Sequence, residues 1–138
     1  MEGFQMLQPA SVLAIFTLTV LLLVPIKRVR ALFAGRVAES DFKYGESDRV
    51  PPEVCIPNRN YMNLLELPVL FYAASLLAFV IHQSDATLLG LAWAYVGLRI
   101  VHSIIHLTYN RVLHRGLVFA ISNVVLVVMW IRILLVIW

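Results

Sequence analysis

Four long apolar runs leave few folds open to this chain. They are QPASVLAIFTLTVLLLVPI (8–26), LLELPVLFYAASLLAFVI (64–81), ATLLGLAWAYVGLRIVHSIIHL (86–107) and GLVFAISNVVLVVMWIRILLVIW (116–138). Each is near the roughly 20 residues that carry a helix across a hydrocarbon core about 30 Å thick. Lipid offers no water to an unpaired backbone group, so such runs must be helical. With their polar ends included, the spans are predicted at about 8–28, 58–81, 86–108 and 115–138, in a single membrane domain covering 1–138. The fold class that follows is all-α, a bundle of four transmembrane helices. Composition agrees: 61% of residues are hydrophobic and 14% charged, against about 45–50% and about 25% in soluble domains. The N-terminus MEGFQMLQPA has no basic region, and its apolar run is too long for a cleaved signal, so the first helix is read as retained.

The joints differ in kind. Residues 29–57 form a long polar loop with Gly35, Gly45, Pro51, Pro52 and Pro57 as breakers. HQSD (82–85) is a tight turn, and TYNRVLHR (108–115) is a short basic connection. Lys and Arg cluster in the long loop and in 108–115, whereas the 82–85 turn has neither. The positive-inside rule therefore puts the long loop in the cytoplasm and both termini across the membrane, in a bacterial inner membrane or its equivalent. The net charge of +3 is thus read as topology, with no nucleic-acid partner implied. Cys55 is the only cysteine, so neither an internal disulfide nor a thiolate metal site is available.

Ionisable groups inside spans are costly and are functional candidates by default. Arg59, Asn63 and Glu66 fall in one stripe of the second helix, at spacings of four and three. Arg99, His102 and His106 share a stripe of the third, extended by Ser103 and Asn110. Arg115, Phe119 and Ser122 share a face of the fourth. All three stripes lie toward the cytoplasmic ends, so antiparallel neighbours bring them to one depth around one polar pocket. The bland readings are interfacial snorkelling for Arg59 and Arg115, a structural pair of Glu66 with Arg59 or Arg99, and packing for His102. HSIIH places His102 and His106 four apart, as a metal site requires, but only Glu66 is near enough to join them; no metal is expected. A Ser–His nucleophile using Ser103 or Ser122 lacks an orienting acid. Small residues in YAAS (72–75) and GLAWAYVG (90–97) are read as helix contacts, and Pro25 and Pro68 as bends.

RNYMNLLELP resembles the second-helix signature R-x-x-x-N-x-x-E of the MAPEG family, the membrane-associated proteins in eicosanoid and glutathione metabolism. GLRIVHSIIHL followed by HRGLVF is similar to the third helix and the start of the fourth in the prostaglandin synthase branch. The likeness covers nearly the whole chain in length and topology; its specific part is about eight positions. It implies a homotrimer with glutathione bound at each subunit interface near the cytoplasmic side. It also implies ligand-holding roles for Arg59, Asn63, Glu66 and His102, with His106 where the family usually has tyrosine and Phe119 where that branch has tyrosine. By the same likeness Arg115 is the catalytic arginine that stabilises the thiolate, and an arginine closing the first helix, Arg28 or Arg30, reaches the ligand. Gly116 stands in place of a serine and Met62 in place of a polar residue, departures that weigh against prostaglandin isomerase chemistry.

The chemistry of glutathione agrees with these residue types. Its carboxylates suit arginine, its ammonium suits Glu66, and its amides suit Asn63. The function expected is a glutathione-dependent membrane transferase or peroxidase that turns the thiolate on a lipophilic electrophile or lipid hydroperoxide arriving from the membrane lipid. Val118, Phe119, Ile121 and Val125 are read as lining that approach. The alternative is a non-catalytic lipid-binding or scaffold protein of the same fold. A channel is disfavoured because the fourth helix is apolar from Val124 to Ile131.

Overall fold

The computed structural model describes residues 2–138. After a 3-10 turn at Glu2–Met6, five α-helices follow: α1 (Leu7–Phe33), α2 (Pro52–Leu65), α3 (Pro68–Val80), α4 (Ala86–Leu107) and α5 (Val112–Ile137). A second 3-10 turn, Glu39–Phe42, lies in the α1–α2 loop. With α2 and α3 taken as one broken span, four helical stretches are long and apolar enough to cross a bilayer. The chain is an all-helical integral membrane protein.

The helices reach further into the first loop than the breakers there predict. KRVR continues α1, since straight-chain Lys and Arg lose little freedom in a helix. α1 ends at Gly35, whose φ of 65° few other residues accept. The Gly35 and Arg36 N–H groups close the last turn on Leu32 O and Ala31 O, both at 3.0 Å. Pro52 starts α2 instead of preventing it, because the first helical position needs no N–H donor. Pro57 sits buried inside α2, and α1 runs unbroken through Pro25.

The second span departs most from expectation, for it is not one helix. Pro68 has no N–H to give Leu64 O, and its ring crowds that carbonyl, so the helix stops at Leu65 and restarts at Pro68. Glu66 sits in the gap with φ −77° and ψ −95°.

α4 is the most buried of the spans. Its inward face carries Leu88, Ala92, Tyr95, Arg99, His102 and His106 at helical spacing. α4 packs chiefly on α5, while α1 packs on α2 and α4, and α3 on α5. Ala74 and Ala78 of α3 and Ala92 of α4 are fully buried and allow the close approach. Within the protomer Gly90 and Gly97 make no such approach; a Cβ on either would meet nothing within 4 Å. The Phe71 and Tyr95 rings stack at 4.6 Å in the middle of the core. Large apolar side chains such as Ile15, Leu18, Leu76, Val124 and Leu135 point outward along every span.

The two ends of the bundle differ. One holds the α1 C-terminus, the first loop and the α4–α5 turn, together with every Lys and Arg except Arg99 and Arg132. At the other, Phe4 meets Phe79 at 5.3 Å, and Asp85 caps α4 by accepting from the Thr87 and Leu88 N–H groups at 2.9 and 3.1 Å. Arg132 on α5 closes on the same Asp85 carboxylate at 3.2 Å.

Candidate functional site

A cavity of about 550 Å³ opens at the basic end between α2, the α4 C-terminus and the start of α5. Arg59, Met62, Asn63 and Glu66 line it from α2, His106 from α4, Asn110 from the turn and Arg115 from α5. The α2 side chains converge because they lie on one stripe, and the antiparallel bundle brings His106 and Arg115 opposite them. A smaller cavity of about 230 Å³ adjoins it, sharing Ile56, Arg59 and Asn110 and bounded beyond them by Glu46 and Cys55.

The charges in the main cavity are left open by the protein. Among the described residues, ion pairs join Arg28 to Glu46, Arg36 to Glu53 and Arg132 to Asp85, and none involves Arg59, Glu66 or Arg115. Glu66 therefore pairs with neither Arg59 nor Arg99. Arg115 Nη1 donates to Asn110 Oδ1 at 2.7 Å, which orients the guanidinium across the mouth of α5. Asn110 takes φ 48°, a conformation that Asn tolerates better than most residues. The Asn63 side-chain Nδ2 donates to Arg59 O at 2.8 Å, leaving the side-chain Oδ1 without a protein donor among the described residues.

His102 and Phe119, expected against the ligand, do not line this cavity. The His102 ring lies 5.7 Å from Phe119 and 5.9 Å from His106, and His102 is buried. Phe119 carries Arg99 over its face, with 5.3 Å from guanidinium carbon to ring centroid. Both belong to a layer behind the cavity wall, one turn deeper. The two first-helix arginines separate as well. Arg28 turns inward, holds Glu46 at 3.1 Å and lies over the Phe42 ring at 4.8 Å. Arg30 is exposed and lines a shallow outer groove with Pro25, Ile26 and Val29.

Asn58 also lines the cavity, and no spacing in the sequence singles it out. Asn110 could be read from the α4 stripe, but its grip on Arg115 depends on the turn. Glu46, only 11% exposed, comes from a loop that sequence periodicity cannot place. Among the described residues no cluster of three His, Cys, Asp or Glu side chains could hold a metal ion. The expected apolar approach differs too. Val118, Phe119, Ile121 and Val125 line neither the main cavity nor the one adjoining it, whereas a groove of about 340 Å³ runs between α3 and α5 past Leu67, Leu70, Leu126 and Trp130.

No match emerges among curated proteins or solved structures. The family model described as "MAPEG family" does match, over residues 6–135, which takes in all four spans, the broken second helix and every residue of the cavity. The chain belongs to the MAPEG family.

Proposed function

We propose that the chain is a glutathione-dependent membrane transferase or peroxidase, and that the cavity at the basic end holds glutathione. One observation carries this reading: Arg59, Glu66 and Arg115 converge on a single cavity, and among the described residues none of them forms a salt bridge. Arg59 and Glu66 are exposed at the cavity, so each can take a ligand group of opposite charge without first breaking a protein ion pair. The donor set fits glutathione, which brings two carboxylates, one ammonium, two amides and a thiol. Arg59 and Arg115 suit the carboxylates or an ionised thiol, Glu66 the ammonium, and Asn58, Asn63 and Asn110 the amides. The cavity volume lies in the range usual for small-molecule sites, about 300–1,000 Å³.

Bound glutathione supplies a thiol whose ionised form attacks an electrophilic carbon or a peroxide oxygen. The chain's part is to hold and ionise that thiol. Arg115, tethered by Asn110 in the first turn of α5, presents a fixed cation, and the helix N-terminus adds a partial positive charge of the same sign. Each unit by which they lower the thiol pKa corresponds to about 1.4 kcal/mol. Glu66 and Arg59 orient the peptide ends, which converts a bimolecular encounter into a positioned one. His106 closes the inner wall. Of the two first-helix arginines, Arg28 lies nearer the cavity within one protomer, and Arg30 is free to reach a neighbour. We also propose the cytoplasmic orientation of the basic end, the homotrimer, and entry of the lipophilic partner from the bilayer.

Titration of the detergent-solubilised protein with glutathione tests this reading. Thiolate absorbance near neutral pH is expected, and Arg115→Ala should abolish most of it while retaining binding. Binding without that absorbance in the wild type favours the scaffold reading; no binding at all removes the glutathione reading and leaves the lipid-binding or scaffold one.

A further inference from the structure

The most costly side chain in the bundle is not in the cavity. Arg99 is wholly buried in α4, within a helix that crosses hydrocarbon, and among the described residues no carboxylate pairs with it. An isolated buried cation is strongly unfavourable unless something specific holds it. Its one hydrogen bond goes from Nη2 to the backbone carbonyl of Asn63, and its guanidinium rests on Phe119. Nε and Nη1 have no protein partner.

The carbonyl it chooses is informative. At the Pro68 interruption, backbone bonding runs from Glu66 N–H to Met62 O at 3.1 Å and resumes with Val69 N–H to Glu66 O at 3.3 Å and Leu70 N–H to Leu67 O at 2.9 Å. Asn63 O falls between these two patterns. A freed carbonyl inside a bilayer must find a donor from a neighbouring element, and Arg99 reaches across from α4 to provide it. The two polar side chains nearest this junction in sequence, Asn63 and Glu66, both line the cavity. On its other side, Arg99 touches Phe119, one helical turn from Arg115 on α5. One buried guanidinium thus braces the backs of two cavity walls.

We propose that Arg99 is a positioning residue: by holding Asn63 O it fixes the α2–α3 break in the geometry that directs Asn63 and Glu66 into the cavity. Its effect on glutathione rests on the function proposed above; its effect on the break does not. The polar faces of Tyr95, Ser103 and His102 line the same side of α4, but none bonds to the break, so Arg99 alone bridges α4 to it.

The test compares wild type, Arg99→Lys, Arg99→Met, Pro68→Ala and the Arg99→Met/Pro68→Ala double variant in lipid nanodiscs. Two readouts are taken: hydrogen exchange of the amides in 64–70, and kcat and KM for glutathione. Arg99→Met should accelerate exchange at 66–70 and raise the glutathione KM by about tenfold, the scale of one hydrogen bond to a charged group. Its kcat should stay within about twofold, because the thiolate-stabilising cation is untouched. Arg99→Lys, which keeps the charge and an N–H donor on a shorter reach, should fall between wild type and Arg99→Met in both readouts. Pro68→Ala gives Leu64 O its N–H and lets the helix close, so that Leu67 N–H can reach Asn63 O. Its KM should rise, exchange at 66–70 should slow, and adding Arg99→Met should raise KM no further. Unchanged exchange at 66–70 in both Arg99 variants, or additive KM effects in the double variant, overturns the proposal. If Arg99→Met does not fold, Arg99→Lys and Pro68→Ala decide on the same readouts. If wild type fails to bind glutathione, the exchange data still judge the brace, and only the glutathione reading falls.

Discussion

Glu66 brings a carboxylate into a cavity where Arg59 and Arg115 already stand, and it pairs with neither. Because it has no protein partner and is exposed, its removal costs the fold little. Glu66→Gln should therefore leave thermal stability within about 0.5 kcal/mol of wild type, as for surface changes away from special features. The same change should weaken glutathione binding about tenfold or more by removing a charge-assisted bond to the ammonium. Calorimetric titration beside a thermal melt separates the two; equal binding by the Gln variant would remove Glu66 from the ligand site. At this scale the sequence is legible where spacing alone decides. Four-and-three spacing puts Arg59, Asn63 and Glu66 on one stripe whatever surrounds them. It cannot say that His102 and Phe119, on equally good stripes, end one layer behind the cavity, because depth depends on how α4 and α5 cross.

Helix ends and breaks show what periodicity misses. The apolar pattern runs through 64–81 without a gap, so only the chemistry of Pro68 warns that the span is two helices, α2 and α3. Pro52 carries the opposite lesson: at the first helical position a proline is favoured, while Pro57, five residues further on, is carried inside α2 at the loss of one backbone bond. The α4 start is more plainly written, since Asp85 follows a turn and precedes an apolar helix. Its carboxyl is held below the ordinary carboxylate range, chiefly by the Leu88 N–H, with Gln83 and Arg132 acting in the same direction and burial opposing them. A lowered folded pKa means that this stabilisation is complete above the ordinary carboxylate range and is lost as pH falls through the folded value. Asp85→Ala should cost about 1 kcal/mol near neutral pH through loss of the cap, with at most a similar amount from the half-exposed Arg132 pair. Asp85→Asn keeps a capping oxygen and should lose less. Denaturant melts from neutral pH to pH 3 should show a smaller acid-side decline in both variants than in wild type; identical declines would show that the cap is not a titrating contributor.

At the scale of the molecule, a bundle with apolar side chains outward along every span has buried only part of what it must cover, and lipid can cover the rest. Polar atoms are another matter: Asn123 Oδ1 and Trp130 Nε1, beside the α3–α5 groove, have no partner in the protomer, and hydrocarbon supplies none. The outward apolar surface can take a neighbouring copy as readily as lipid, which is compatible with the proposed trimer; native mass measurement in detergent should return three copies, and a monomer that binds glutathione fully would contradict it. The family resemblance, rather than any periodicity, carries that number. Orientation stands on firmer physical ground, because every Lys and Arg but Arg99 and Arg132 lies at the cavity end. Translocating that cluster is far more costly than translocating the other end, whose Arg132 is neutralised by Asp85. The prediction is then specific. Ser40 is exposed in the first loop, and the native Cys55 is buried, so a Ser40→Cys variant offers one reactive thiol. A membrane-impermeant maleimide should label it in inverted vesicles and leave it untouched in intact cells. Labelling from outside would turn the whole bundle over, place the cavity away from cytoplasmic glutathione, and remove the supply on which the proposed reaction depends.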